Sequence, residues 1–364
     1  VKVAVVMPDA SVAVKTAAAK LHMGLILDGF NAQLIRLQGP DILRHVCSDL
    51  AKLKHLTEFD AVIYTGSIPW PSHMLLGTLN MLFVHGFTEC ELSNAMTSGH
   101  LRSRIGSATL LNYWRTTRLM NTVNVYICHS FTTSEANRIS RSAIILPQFV
   151  LPSEVDLFSQ IRSSRAPSSD GTARILTYSS FADSPRLLRP DQITKLSSML
   201  KTASRRRFEI TVIDPQKRVA SSDVVRALNF MPRRRFLELL ASSDIYLEMC
   251  LDEELRLGAI EACLLGVPVA KITRPMYLGR QDYDEKQLII GTSMEELAAR
   301  ITHCMEDECD RSYHSRQARD FIIRRRQWEK VKEPLVDRLK KNDVLSWEFS
   351  DCYSHVDCWG KLDG

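Results

Sequence analysis

The sequence predicts an α/β protein made of two Rossmann-like, doubly wound domains facing a central cleft. Three observations lead there. The chain has 364 residues, more than one hydrophobic core usually organises. Short runs rich in β-branched residues alternate with helix-compatible stretches, the pattern of a parallel sheet wrapped by helices. A composition break over 160–172 gathers Ser163, Ser164, Pro167, Ser168, Ser169 and Gly171 without periodicity, and the alternation then starts again. The expected division is a first domain over 1–160, a linker over 161–173, a second domain over 174–315, and a C-terminal helix and tail over 316–364 that packs back on the first domain.

The first strand is Val3 to Met7. It is too short, and too soon followed by Pro8 and Asp9, to be the core of a signal peptide, so a cytoplasmic protein is expected. A helix follows around Val12 to Leu27, then a strand at Ala32 to Leu37 and a helix around Ile42 to Leu53. Asp60 to Tyr64, Asn80 to Val84, Val123 to Ile127 and Ser142 to Leu146 read as further short strands. After the break come a strand at Ile175 to Ser179, a helix at Asp191 to Thr202, a strand at Phe208 to Ile213, a helix at Arg234 to Ala241 and a strand at Asp244 to Met249. A helix at Leu255 to Leu265, strands at Val267 to Ile272 and Leu288 to Ile290, and a helix at Met294 to Met305 complete the second series. Arg316 to Lys341 is charged and helical, with Trp328 as its largest apolar anchor.

Composition narrows the function classes. With 45% hydrophobic and 24% charged residues the chain is an ordinary globular protein, and no apolar run is long enough to span a bilayer. Nine irregularly spaced cysteines fit reduced thiols better than a disulfide framework. Cys352, His355 and Cys358 offer three soft ligands without a CxxC pair, one short of a structural zinc site, and no metal is expected. The net charge of +5 is concentrated at Arg205 to Arg207, Arg233 to Arg235 and Arg324 to Arg326. These runs are either solvated faces or attractors of anionic nucleotides or phospholipid heads; with no nucleic-acid signature beside them, no nucleic-acid partner is expected. Leu101 to Met120 mixes arginines with Tyr113, Trp114 and leucines. Packed on the first domain it is an amphipathic helix; exposed, it suits peripheral membrane contact and a lipid-linked acceptor.

The most informative stretch runs from Ile245 to Ile272. A buried strand leads through an acidic loop into an apolar helix that stops at Gly266, and a second strand follows. The free N–H groups and positive dipole end of such a helix attract phosphate. Glu253 lies just before that end and Glu261 inside the helix. Alone, a helical glutamate is usually a solvated surface residue. Glu261 is followed by Ala262, Cys263, Leu264 and Leu265, and a carboxylate on a buried helix needs a partner. His129 and Ser130 suggest a nucleophile pair but lack the Gly-x-Ser-x-Gly turn that would present one.

Glu253, the seven residues after it, Glu261-Ala262 and the later Gly266-Val-Pro268-Val269 resemble the motif of retaining GT-B glycosyltransferases, the large nucleotide-sugar-dependent group (family 4-like, glycosyl transferases group 1). Leu228 to Ile245, Ile289 to Ala299 and Leu146 to Asp156 are similar to the stretches that surround this motif. The resemblance implies a metal-independent hexosyltransferase that uses no cofactor and takes a nucleotide-sugar donor as substrate. It implies transfer to a glycan, lipid-linked or protein acceptor with retention of configuration. By the same resemblance Glu261 holds the donor ribose. Glu253, with backbone N–H groups near Arg256, Leu257 and Gly258, holds the transferred sugar. His85 lines the sugar site, and Arg186 is one of the basic pair that neutralises the leaving diphosphate. Ser180 replaces the other arginine of that pair, and Arg189 or Arg256 is placed to supply the missing charge. Two more departures stand out: no Gly-Gly turn follows Pro8, and Glu254-Leu255-Arg256 replaces Gly-Phe-Gly. These departures keep open a non-catalytic sugar-nucleotide or glycan-binding subunit, and a sugar-nucleotide epimerase is a third reading within the same fold.

Overall fold

A computed structural model describes residues 1–7, 12–36, 55–65, 79–84, 125–129, 143–163, 171–178, 188–215, 217–251, 254–275 and 283–341. The expected helix at 42–53, the segment 101–120 and the trio Cys352, His355 and Cys358 lie outside the described residues.

The first sheet is parallel and runs in the order β2-β1-β3-β4-β5-β6. Its strands are β1 (Lys2–Met7), β2 (Asn31–Arg36), β3 (Ala61–Thr65), β4 (Leu79–Val84), β5 (Val125–Cys128) and β6 (Ala143–Ile145). Helix α1 (Val12–Leu27) crosses from β1 to β2, and Ala18, Leu21 and Leu25 pack with Val3, Val5 and Ile63 on one face of the sheet. The chain reverses direction across the sheet between β1 and β3, where Thr65 Oγ1 donates to Val6 O at 2.8 Å.

The second sheet is also parallel, in the order β12-β11-β10-β7-β8-β9. Its strands are β7 (Ala173–Tyr178), β8 (Phe208–Ile213), β9 (Val225–Leu228), β10 (Ile245–Glu248), β11 (Val269–Ile272) and β12 (Ile289–Gly291). Helix α2 (Pro152–Ser163) precedes it; α3 (Pro190–Ala203), α4 (Arg233–Ala241), α5 (Leu257–Leu265) and α6 (Met294–Glu306) cover its two faces. Here the switch point lies between β7 and β10, and Thr177 Oγ1 donates across it to Leu247 O at 2.8 Å. Ligands of open parallel sheets bind outside the carboxyl ends of the strands at such points. The edge strand β9, helix α2 and the single helical turn Leu56–Glu58 were not expected from the sequence. Residues 161–163, placed in the linker by composition, form the last turn of α2, whose Phe158 is buried with Leu176 and Leu264 of the second half.

The charged C-terminal stretch is three helices rather than one: α7 (Glu308–Arg325), α8 (Trp328–Val331) and α9 (Glu333–Lys341). The break has a cause. Val150 N donates to Arg326 O at 2.8 Å and Trp328 N to Val150 O at 2.9 Å, so the backbone turns aside to form an isolated parallel bridge between Gln327 and Val150. Beyond it, Trp328, Leu335, Val336 and Leu339 are buried in the core of the first sheet, so the C-terminal segment packs back on the first domain. Trp328 Nε1 donates to Asp28 Oδ2 at 2.6 Å, and Lys332 pairs with the same carboxylate. Gly24 of α1 makes room for the indole: a Cβ there would stand 2.7 Å from the ring.

Candidate functional site at the switch point of the second sheet

Helix α5 follows β10 at the switch point and is apolar nearly throughout, Leu-Gly-Ala-Ile-Glu-Ala-Cys-Leu-Leu, because it is packed among the sheet, α2, α4 and α7. It ends where the sequence says it should, at Gly266 with φ 70°, a left-handed conformation that suits glycine. It starts two residues later than expected, with Arg256 as N-cap in extended conformation and its own side chain making no cap bond. The neighbouring α3 differs, since Arg189 N donates to Gln192 Oε1 at 2.8 Å. Leu188 N donates to Met249 O at 2.8 Å, so the starts of α3 and α5 come to the same end of the sheet. Arg189 and Arg256, expected on the donor side, both stand there. Arg189 is exposed and pairs with Asp191 at 3.1 Å, whereas Arg256 is half-buried.

Glu261 is 2% exposed, and the partner its burial demands is Arg233 at the start of α4, which donates to Oε1. Burial pushes the Glu261 carboxyl above its ordinary value, and the adjacent guanidinium works against that shift. A carboxylate has several acceptor sites, and Arg233 uses one of them. Leu257 and Gly258 begin the helix one turn before Glu261. Gly258 also has a packing role: a Cβ there would meet the Tyr246 hydroxyl at 2.4 Å. That phenol is raised well above its usual range by burial first, then by Glu248 and Glu261.

Beneath the loop from β10 to α5 lies a set of buried charges that the sequence reading did not single out. Glu248 ends β10 and Lys271 stands beside it in register on β11. Both are buried, Lys271 completely. Glu248 Oε1 accepts from Cys250 N at 2.9 Å, while Oε2 has no hydrogen-bond partner among the described residues. Lys271 Nζ donates to Glu254 O at 2.7 Å and so ties down the residue that follows Glu253. The available signal was a lysine inside the apolar run Val267 to Ile272; for Arg233 it was the arginine run itself.

Glu253, His85, Arg186 and Ser180 lie outside the described residues. His129, at the end of β5, is described and is structural in its contacts. Nδ1–H donates to Leu146 O at 3.1 Å, Nε2 accepts from Gln148 Nε2 at 3.0 Å, and the ring rests on Phe83. A carbonyl only accepts, which fixes the neutral tautomer, and burial lowers the histidine to about 4. Among the described residues no cluster of His, Cys, Asp and Glu is placed to hold a metal, and no helix is long and apolar enough to cross a membrane.

No protein-family model matches the sequence, and no curated protein matches it. Solved structures do match in fold. Sucrose-phosphate synthase from Thermosynechococcus elongatus superposes with a TM-score of 0.64 at 13% identity, covering 93% of this chain and 98% of its own. The UDP-forming α,α-trehalose-phosphate synthase from Burkholderia vietnamiensis gives 0.59 at 10% identity, covering 94% and 100%. Anabaena HepE in complex with UDP-glucose gives 0.53 at 14% identity, covering 93% and 99%. These neighbours are GT-B glycosyltransferases, and the fold of this chain is GT-B.

Proposed function

We propose that the chain is a GT-B glycosyltransferase that moves a hexosyl group from a nucleoside-diphosphate sugar to an acceptor hydroxyl, with retention of configuration and without a divalent cation. The observation that carries this reading is the buried Glu261 lying one helical turn behind the start of α5, at the switch point of the second sheet. Four residues of helix rise about 6 Å, the separation of a ribose from the diphosphate attached to it. In this reading Glu261 accepts the ribose hydroxyls, and the first N–H groups of α5 with Arg256 receive the diphosphate. Glu253 orients the transferred sugar, and His85 lines the sugar site. Arg186 and Arg189 meet the charge that develops as the bond from the anomeric carbon to the phosphate oxygen breaks. The acceptor oxygen bonds to the same face of that carbon, and its proton passes to the departing diphosphate. The acceptor is a glycan, a lipid-linked sugar or a protein, met at the cytoplasmic side.

HepE has been captured with UDP-glucose and the trehalose-phosphate synthase is UDP-forming, which makes UDP-glucose the first donor to test. The wild type is expected to bind UDP and to release it from the sugar donor. Glu261→Gln, which keeps the shape and removes the charge, is expected to weaken UDP binding about ten- to a hundredfold, the range for a charge-assisted hydrogen bond. Calorimetry and a UDP-release assay measure the two effects. Failure of a screen of nucleoside diphosphates and their sugars to find any binder would sink the proposal. Binding without turnover would favour the sugar-nucleotide-binding subunit, a reading supported by Ser180 and Arg256 standing where the resemblance calls for arginine and glycine. An isomerised sugar formed without acceptor would favour the epimerase.

A further inference from the structure

In two of the three arginine runs Arg235 and Arg325 are exposed, and the other charges are engaged locally. Arg233 holds Glu261 and Arg234 pairs with Glu238 at 3.0 Å. Arg324 lies 3.9 Å from Asp320, and Arg326 is buried with its guanidinium over the Phe321 ring. Arg206 and Arg207, with Arg226 of β9, wall an open cavity of about 620 Å³ at the amino-terminal edge of β7, β8 and β9. Strands of six residues separate this edge from the switch point by about 20 Å.

The cavity's polar groups divide into engaged and unengaged. Arg206 is structural: Nε donates to Gly171 O at 2.9 Å and a terminal nitrogen to Met305 O at 2.8 Å. Lys201 pairs with Asp223 at 2.6 Å, and Glu209 accepts from Thr211 Oγ1 at 3.2 Å, so the two acids in the wall already have partners. Arg207 and Arg226 are both exposed, one just before β8 and the other on the strand beside it, with no acidic partner among the described residues. Two hydroxyls join them. Ser221 Oγ accepts from Ala227 N at 3.2 Å and Ser222 Oγ from Val225 N at 3.1 Å. With their oxygens engaged as acceptors, both hydroxyls keep their hydrogens to donate.

We propose that this cavity is a second, anion-binding site that takes the phosphoryl group of a phosphorylated small molecule or headgroup. Two guanidinium groups and two hydroxyls line one volume. A tetrahedral dianion with several acceptor oxygens satisfies such a donor set, and arginine is the side chain best matched to it. A volume of about 620 Å³ exceeds one phosphate and suits a phosphate ester with a body the size of a sugar or glycerol. The site does not depend on the transfer reaction proposed above, because it lies at the opposite end of the sheet.

The test uses the full chain, with pyrophosphate as the soluble probe and vesicles of phosphatidylcholine with or without phosphatidic acid as the lipid probe. Amide hydrogen exchange reads the position, and protection is expected over 201–209 and 221–228 at millimolar pyrophosphate. The double variant R207Q/R226Q is expected to weaken that protection about tenfold or more in probe concentration, the loss of charge-assisted bonds. R205Q, from the same run but outside the cavity, is expected to leave it unchanged. Sedimentation with phosphatidic acid vesicles that the double variant abolishes would assign the site to a lipid headgroup. Pyrophosphate protection without sedimentation would assign it to a soluble phosphate ester. Protection that survives in R207Q/R226Q, or that neither probe produces, overturns the proposal, while Glu261→Gln tests the switch-point site separately.

Discussion

At the switch point of the first sheet Thr65 donates to Val6 O, and at that of the second Thr177 donates to Leu247 O, each over 2.8 Å. In both, a buried hydroxyl locks the two strands between which the chain changes direction. From there the two regions diverge. Among the described residues the first sheet buries neutral polar groups, Thr65, Asn80 and His129, with Lys20 reaching Glu154 of α2 at 2.9 Å. The second buries Asp214, Asp244, Glu248, Glu261 and Lys271. Desolvating charge is costly, and a fold retains it where something is gained by a fixed field. The difference teaches that in this chain most of the buried charge belongs to the second half, while the described part of the first half is a platform of mainly neutral polar groups with Lys20 as its buried charge.

The contrast breaks most readily at Lys271. Lys271→Met keeps most of the volume, removes the ammonium from beside Glu248 and frees Glu254 O. The expected loss is about 2 kcal/mol, the range for losing a charge-assisted hydrogen bond and leaving a buried carbonyl without its donor. Glu248→Gln added to it is expected to recover a clear part of that loss, a positive coupling that a double-mutant cycle in urea reads directly. A cost for Lys271→Met no larger than that of an exposed lysine would show that the buried charges are independent bystanders.

The first half is tested through pH. His129 stays neutral in the fold down to about 4, whereas in the unfolded chain it takes up a proton near 6.5. The unfolded state therefore binds more protons between these values, and stability falls as pH drops through that window. The loss amounts to about 3 kcal/mol when complete. His129→Leu removes the titration. Its urea midpoint is lower near neutrality, where the bonds to Leu146 and Gln148 are lost, but its acid limb between those pH values is expected to be flatter by about that amount. Identical acid limbs in the two proteins would mean that the ring is not held neutral by the platform.

Much of this division was legible in the sequence, and for definite reasons. The strands from Val3 to Met7 and from Phe208 to Ile213, and the helices from Val12 to Leu27 and around Glu261, carry a strong apolar pattern and sit within a residue or two of expectation. Strand β9 was not legible because its four residues, Val-Arg-Ala-Leu, are too few to show a period. The break at Arg326 was not legible because its cause is Val150, remote in sequence. Glu261 was recognised as buried and in need of a partner, but the partner came from a run of three like residues of which only Arg233 reaches it. Lys271 was read as part of the strand Val267 to Ile272, and a run this short does not show that both faces of the strand are buried.

The smallest effect sharpens the comparison most locally, at Gly258. In an ordinary helix glycine to alanine gains up to about 1 kcal/mol. Here the new methyl would stand 2.4 Å from the Tyr246 hydroxyl and 3.0 Å from the ring carbon that bears it, and the buried phenol has little room to retreat. Overpacking of this kind costs about 1–3 kcal/mol, so Gly258→Ala is expected to lose about 1 kcal/mol net. Tyr246→Phe removes the nearest atom but leaves the ring, so alanine at 258 in that background is expected to be close to neutral. Thermal melting of the single and double variants measures both terms. If glycine is needed there only to clear the hydroxyl, the Tyr246→Phe, Gly258→Ala protein retains its affinity for UDP. A double variant that melts normally but no longer binds UDP would show that the approach of the α5 backbone is itself part of the site.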